Sequence, residues 1–313
     1  MNRAFLFSGQ GSQAVGMGKA LADAFIPARE VFQEVDDALS QKLSALMWEG
    51  PESDLTLTEN AQPAIMALSI AIIRVLQKEA GMDLARHVRL VAGHSLGEYS
   101  ALSAAGAFAL GDTARLLKTR GQAMQSAVPV GEGAMTALIG ADIDIAEAVA
   151  ADAAGDDVCV VANDNAPGQV VLSGAKAAMD RVPDIAKAKG VKRTIPLSVS
   201  APFHCSLMQP AADVMADALA KVSIRPLSVP VLSNVTAQEA SEPEIVRRLL
   251  VEQVTSRVRW RESMLALRGL SVDTTIEMGG NKVLTGMMRR IDKDIQAIAL
   301  DTPAEIEAFA KGV

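Results

Sequence analysis

The chain has 313 residues, half of them hydrophobic, 21% charged and only 3% aromatic, with a formal net charge of −7 at pH 7. That length can bury a large core in one or two domains, and that composition excludes a disordered chain. Scarce rings and excess negative charge exclude a single-stranded nucleic-acid platform and a general phosphate-backbone binder. In chain order, residues 4–7 read as a short buried strand, followed by the loop Ser8-Gly9-Gln10-Gly11-Ser12-Gln13. Glycines directly after a strand suggest a close backbone approach, although an ordinary βα turn has the same look. Helical patterns follow at 18–37, kinked at Pro27, at 38–48 and at 62–79, with Pro63 near the start of the last. A strand at 88–92 runs into Gly93-His94-Ser95-Leu96-Gly97, and helices follow at 98–109 and 112–124.

The next region differs in character. Strand 136–140, helix 142–153, strands 158–162 and 169–173, helix 176–189 and strand 192–197 give the β-α-β-β-α-β order of a ferredoxin-like unit. It opens after the Pro/Gly linker 128–133 and closes near Pro196. Beyond it lie the loop 200–205, a helix at 206–221, a strand at 230–234, helices at 242–254 and 260–267, and a strand at 274–278. Gly279-Gly280-Asn281 and a helix at 282–290 complete the pattern. The expected fold is therefore α/β. Residues 1–127 and 197–313 form a large α/β-hydrolase-like catalytic domain with a parallel sheet, and residues 128–196 an inserted small ferredoxin-like domain.

Two cysteines, Cys159 and Cys205, cannot make a disulfide framework and suggest a reducing compartment. The apolar stretch after Met1-Asn2-Arg3 is too short for a signal segment. The longest apolar run, 64–76, contains Ser69 and Arg74 and suits a buried core helix better than a membrane span. The expectation is a soluble cytoplasmic protein with no nucleic-acid or membrane partner.

Gly-His-Ser-Leu-Gly at a strand-to-helix junction is the context of a nucleophile elbow, with Ser95 as the nucleophile. The flanking glycines suit a tight turn against neighbouring backbone. The Leu96 N–H, at the start of the helix, points where negative charge is favoured. A second oxyanion donor is expected from the Gln10 N–H. A serine hydroxyl needs a base, and the chain has three histidines. His87 sits in a charged segment and reads as solvated surface. His94 adjoins Ser95, so an extended backbone turns its side chain away, and packing or turn support is its role. His204, after a proline-containing loop at a helix start, is the base by elimination. No carboxylate is placed as a third member, since Asp164 and Asp180 fall in the small domain. A backbone carbonyl orients a histidine as well, so a Ser-His dyad is expected. Arg120, near a helix end, is a surface arginine by default. Facing the pocket, it would clamp a carboxylate in a bidentate fork.

Several segments carry a family resemblance: Phe-Ser-Gly-Gln-Gly-Ser-Gln at 7–13, Gly-His-Ser-Leu-Gly-Glu-Tyr at 93–99, Arg-Gly-Gln-Ala-Met at 120–124, Gly-Glu-Gly-Ala-Met at 131–135 and Pro-Phe-His-Cys at 202–205. So do 168–171, 231–235, 253–260 and Lys-Val-Leu-Thr-Gly at 282–286. In this order, end to end, the chain resembles malonyl-CoA:acyl carrier protein transacylases. The resemblance implies Ser95 as nucleophile, His204 as base, and the Gln10 and Leu96 N–H groups as oxyanion hole. It also implies the main-chain carbonyl of Gln253 as the group orienting His204, and Arg120 as partner of the malonyl carboxylate. Phe203, beside the base, would narrow the pocket against α-branched acyl groups, or simply pack. Ser8 replaces a usual proline, and Gly279-Gly280-Asn281 stands where the family often has Gly-Pro-Gly; both bear on loop shape and not on the reacting groups.

The implied reaction transfers malonyl from malonyl-CoA to the phosphopantetheine thiol of holo-acyl carrier protein by a ping-pong route, supplying fatty acid synthesis. No metal and no other cofactor is expected, and the chain is expected to be a monomer. A trans-acting acyltransferase of a polyketide pathway and a serine thioesterase or hydrolase are the alternatives. Docking of an acidic carrier onto this net-negative chain would need a local basic patch, either Lys187, Lys189, Lys192 and Arg193 or Lys282, Arg289 and Arg290.

Overall fold

Strand β1 (Arg3–Phe7) pairs in parallel with β2 (Leu90–Gly93) on one side, with Phe7 opposite Gly93. Both strands are apolar and buried along nearly their whole length, as expected of parallel strands covered on both faces. The computed structural model describes residues 2–199 and 201–312. Met1, Ser200 (the first residue of the predicted loop 200–205) and Val313 lie outside the described residues.

Among the described residues two sheets form. Strands β3 (Gly133–Ile139), β4 (Cys159–Ala166), β5 (Gln169–Ala175) and β6 (Arg193–Pro196) make an antiparallel sheet in the order β4-β5-β3-β6. Strands β7 (Val231–Leu232), β8 (Glu239–Ala240), β9 (Thr274–Met278) and β10 (Gln296–Leu300) join β1 and β2 in the order β10-β9-β1-β2-β7-β8. Only β8 runs antiparallel in that sheet. The fold is thus α/β, with a mostly parallel six-stranded sheet and a second, antiparallel sheet.

Alternation along the central strands divides the main core in two. Phe5, Phe7 and Val91 face one layer of helices, which includes Ile26–Leu39, Thr58–Glu79 and Leu110–Ser126. Ala4, Leu6, Leu90 and Ala92 face the other, with Trp260, Met264, Leu284 and Met288. Helix Thr58–Glu79 is buried along most of its length, so the apolar run 64–76 is a core helix as expected. No helix among the described residues is long and apolar enough to cross a membrane. The antiparallel sheet has its own core, including Leu138, Val149, Leu172 and Val182.

Several element boundaries differ from the sequence reading. The stretch 18–37 is not one kinked helix: Phe25 is extended, separating Lys19–Ala24 from Ile26–Leu39, and Pro27 lies in the first turn of the second helix, where it lacks no needed donor. Ser40 adopts a left-handed conformation (φ 49°) that ends that helix, and the next is only Leu43–Glu49. The long helix begins at Thr58, so Pro63 lies inside it and cannot donate to the carbonyl one turn earlier. Strand β10 and helix Pro303–Ala310 extend the fold past the last predicted element.

Candidate active site

Because β1, β2, β7 and β9 run parallel, the loops leaving them emerge along one sheet edge, the usual place for a ligand in an open α/β sheet. Gln10 follows β1, Ser95 follows β2, Asn234 follows β7 and Gly279 follows β9. A cleft of about 400 Å³ opens above this edge. Gln10, Ser95, Leu96, Arg120, Phe203 and His204 line it together with Gln62, Met135 and Val171 from other elements.

Ser95 occupies the turn itself, with φ 53° and ψ −111°, a strained conformation for a residue bearing a Cβ. The surroundings hold it there. Its N–H donates to Asn234 Oδ1 (2.7 Å), while Asn234 Nδ2 donates to the Gly93 carbonyl (2.7 Å). The glycines are required by close approach. A Cβ on Gly93 would sit 1.9 Å from Gly97 backbone, and one on Gly97 would sit 2.2 Å from the Phe7 carbonyl oxygen. A Cβ on Gly9 would likewise press on the His94 carbonyl at 2.8 Å. The loop after β1 and the elbow are therefore in backbone contact, and Gln10 and Leu96 both line the cleft. Leu96 is the first residue of helix Leu96–Ala104, so its N–H has no intrahelical acceptor.

His204 comes from the loop before the short 3₁₀ turn Ser206–Met208 and also has positive φ (59°). Its Nε2 lies 2.8 Å from Ser95 Oγ, and its Nδ1 lies 2.9 Å from the main-chain oxygen of Gln253. A carbonyl only accepts, so Nδ1 carries the proton and Nε2 accepts from the serine hydroxyl. The histidine is 4% exposed and its pKa is pulled down to about 3, chiefly by burial and then by the positive charge of Arg120. No carboxylate among the described residues hydrogen-bonds to it. Asp164 pairs with Arg261 (2.8 Å) and Asp180 with Lys176.

Arg120 is not a surface residue: it is 1% exposed. On helix Leu110–Ser126 the buried positions 110, 113, 114, 116, 117, 120, 121 and 124 form one stripe, and Arg120 falls on it. Gly121 lets that helix approach helix Thr58–Glu79 closely, since a Cβ there would meet Glu59 Cα at 2.5 Å. Arg120 Nη1 donates to Gln62 Oε1 (2.8 Å), and Nη2 to Gln253 Oε1 (2.9 Å) and Ser95 Oγ (3.1 Å). The guanidinium also lies over the Tyr99 ring, 5.7 Å from its centroid. Among the described residues Arg120 has no ion pair. Burial lowers its pKa, with Tyr99 and Glu98 opposing, and an arginine keeps its charge nonetheless.

The other histidines behave as residues outside the reacting set. His94 Nε2 meets Asn165 Oδ1 at 2.8 Å and its ring packs 5.5 Å from that of Trp260. His87 is held by Asp83 in its own turn. Gln253 is fully buried beneath the cleft, and Phe203 lies in its wall at 7% exposure. Of the two basic clusters, Arg289 and Arg290 lie on helix Val283–Ile291, whose Val283, Leu284 and Met287 line the cleft. Arg290 reaches Gln169 and the Pro167 carbonyl, and Lys282 pairs with Glu305 (3.0 Å). In the other cluster, Lys189 pairs with Asp152 (2.7 Å). No group of side chains among the described residues could hold a metal ion.

Four features escape the sequence reading: Gln62, Asn234, the buried carboxyl of Glu98, and the side chain of Gln253. The Arg120 stripe was the one accessible signal, since its helical spacing puts the arginine among Leu117, Gly121 and Met124. The other four are polar residues whose neighbours come from distant elements.

A serine on a strained turn, hydrogen-bonded to a histidine that a main-chain carbonyl holds, has the makings of a serine acyl-transfer centre. Residues 4–300 match the family described as Acyl transferase domain, and the chain belongs to that family. Among its relatives is the malonyl CoA-acyl carrier protein transacylase of Bacillus subtilis strain 168, 43% identical over 97% of this chain and 95% of the relative. The enzyme of that name from Escherichia coli K12 is 43% identical over 97% of both chains. The crystal structure of an acyl-carrier-protein-S-malonyltransferase from Bartonella henselae superposes with a TM-score of 0.98 at 53% identity, covering all of both chains. A malonyl-transacylase in complex with its holo type II PKS acyl-carrier protein superposes with a TM-score of 0.96 at 40% identity over all of both chains.

Proposed function

We propose that this acyltransferase moves the malonyl group from malonyl-CoA to the phosphopantetheine thiol of a holo-acyl carrier protein, through an ester on Ser95, to supply fatty acid synthesis. The observation that carries the reading is the buried guanidinium of Arg120, without an ion pair among the described residues and 3.1 Å from Ser95 Oγ. A buried cation beside the nucleophile is costly unless an anion of the substrate completes it. Malonyl brings a carboxylate; acetyl does not.

His204 Nε2 takes the Ser95 proton as Oγ attacks the thioester carbon. The Gln10 and Leu96 N–H groups receive the negative charge on the carbonyl oxygen, each such donor lowering the barrier by about 2.7–4 kcal/mol. The tetrahedral species collapses, the carbon–sulfur bond breaks, and the coenzyme A sulfur takes the proton from His204. The carrier thiol then gives its proton to His204, attacks the ester carbon, and Ser95 recovers its proton as it leaves. Gln253 keeps the histidine in the tautomer this shuttle needs. The malonyl carboxylate also offsets the Arg120 charge that depresses His204, so the true substrate raises the basicity of the group it requires. Phe203 limits room beside the base and disfavours α-branched acyl groups.

We read residues 1–127 and 197–313 as an α/β-hydrolase-like catalytic domain and 128–196 as a ferredoxin-like domain. Supporting this are the element order β-α-β-β-α-β and the strand order β4-β5-β3-β6. The chain is read as a cytoplasmic monomer, and the Arg289–Arg290 end of the cleft-lining helix as the side an acidic carrier approaches. Mixing enzyme, malonyl-CoA and holo-carrier should give malonyl-carrier by mass spectrometry. Release of free malonate at the same rate with or without carrier would instead identify a hydrolase.

A further inference from the structure

Glu98 lies in the first turn of helix Leu96–Ala104, 2% exposed, and has no ion pair among the described residues. The reaction scheme above gives it no part. Its Oε2 accepts two hydrogen bonds, from Gln253 Nε2 (2.6 Å) and from the Asn234 N–H (3.2 Å). Gln253 is the hub of the site. The same Nε2 donates to the Ser95 carbonyl (3.0 Å), its Oε1 accepts from Arg120, and its main-chain oxygen accepts from His204. Asn234 meanwhile accepts the Ser95 N–H. One carboxyl group is thus joined through the Gln253 carboxamide to the guanidinium, and the same residue's main-chain oxygen holds the base.

The ionisable groups around Glu98 are few. Arg120 faces it from helix Leu110–Ser126 and Tyr99 adjoins it on its own helix. Burial lowers the pKa of both His204 and His94, which come from the loops at the sheet edge. Burial raises the Glu98 pKa to about 7, against the pull of Gln253, Asn234 and the Arg120 charge.

We propose that Glu98 is a positioning residue whose charge sets the strength of the Arg120 clamp, so that a carboxylate-bearing acyl group binds with uptake of a proton at Glu98. With Glu98 ionised, the buried pair of Arg120 and Glu98 is neutral, and an arriving carboxylate leaves one net negative charge out of water. With Glu98 protonated, the carboxylate and Arg120 neutralise each other. Burying unbalanced charge is costly, so the second state is favoured once the ligand is bound. Glu98 and an incoming carboxylate are separated by the guanidinium and the Gln253 carboxamide, on the order of 10 Å for charges one long side chain and one amide apart. Two unit charges at that separation and an effective dielectric of about 20 correspond to about tenfold in affinity. The inference rests on the malonyl-CoA reading.

The test uses the full chain with Ser95→Ala, titrated calorimetrically with malonyl-CoA and acetyl-CoA at about pH 6 and about pH 8, in buffers of different ionisation enthalpy. Malonyl-CoA should bind about fivefold more tightly at the lower pH and take up about half a proton near neutrality. Acetyl-CoA, which shares every phosphate of the nucleotide, should do neither beyond its own baseline. Adding Glu98→Gln, which keeps the oxygen acceptor and removes the charge, should abolish the malonyl-specific pH dependence. Malonyl-CoA binding with no more proton uptake than acetyl-CoA, or an unchanged pH dependence in the Glu98→Gln form, overturns the inference and leaves the function standing. If the double variant fails to fold, the malonyl-minus-acetyl difference in Ser95→Ala alone decides. Absence of malonyl-CoA binding at either pH overturns both.

Discussion

Arg120→Ala should convert a malonyl-selective enzyme into one that barely distinguishes malonyl from acetyl. A charge-assisted hydrogen bond from the guanidinium to the malonyl carboxylate contributes about 1.5–3 kcal/mol. Acetyl leaves the same guanidinium, only 1% exposed, buried without an anion, and the combined difference reaches about 3–5 kcal/mol. At about 1.4 kcal/mol per decade, the native preference is at least roughly a hundredfold. Removing the side chain removes both contributions. The assay is a direct competition: equal malonyl-CoA and acetyl-CoA, quenched early, with the two Ser95 adducts counted by intact mass, which gives the ratio of kcat/KM values. The variant also strands the Gln62 and Gln253 oxygens that Arg120 now satisfies, at a cost of about 1–3 kcal/mol in stability. That loss acts on both substrates and leaves the ratio untouched. An Arg120→Ala enzyme that keeps its malonyl preference and gains no acetyl adduct would refute the clamp.

Three further outcomes follow from the geometry. His204 is neutral when folded, with its pKa near 3, against about 6.5 unfolded, so the unfolded state binds its proton first as pH falls. The stability this buried ring contributes is complete above about pH 6.5 and is lost progressively towards pH 3. Urea unfolding at pH 5 should show the native chain losing about 2 kcal/mol more, relative to pH 7.5, than His204→Ala does; equal losses would contradict the assignment. Asn234→Ala leaves the Ser95 N–H and the Gly93 carbonyl without partners, and should cost about 1–3 kcal/mol by urea unfolding and slow acylation more than it raises KM. Gly97→Ala drives a Cβ to 2.2 Å from the Phe7 carbonyl, and should abolish acylation while an equally buried Ala101→Gly keeps it.

The strand-to-helix elbow around Ser95 and the candidate base His204 could be singled out because their cues are local. Gly93 and Gly97 bracket Ser95, apolar runs mark β1 and β2, and only three histidines compete for one role. Backbone satisfaction decided what was missed. Phe25 and Ser40 end helices that the apolar pattern would have continued, because Pro27 and a left-handed cap intervene. The helix Pro303–Ala310 did carry a readable start signal, since Thr302 and Glu305 form a capping box. Strand β10 is only five residues long and half exposed, too weak a pattern to stand alone. Gln62, Glu98, Asn234 and the Gln253 side chain gave no comparable cue. Each is a buried polar residue defined by partners far along the chain, and an amide or a carboxyl has no periodicity of its own.

The central claim is a covalent one, and intact mass tests it most directly. Mixed with malonyl-CoA and no carrier, the native chain should gain one malonyl group, mapped to Ser95 and discharged on adding holo-acyl carrier protein, while Ser95→Ala gains none. A native chain that stays unmodified, or a Ser95→Ala chain that acquires the same adduct, would contradict the account.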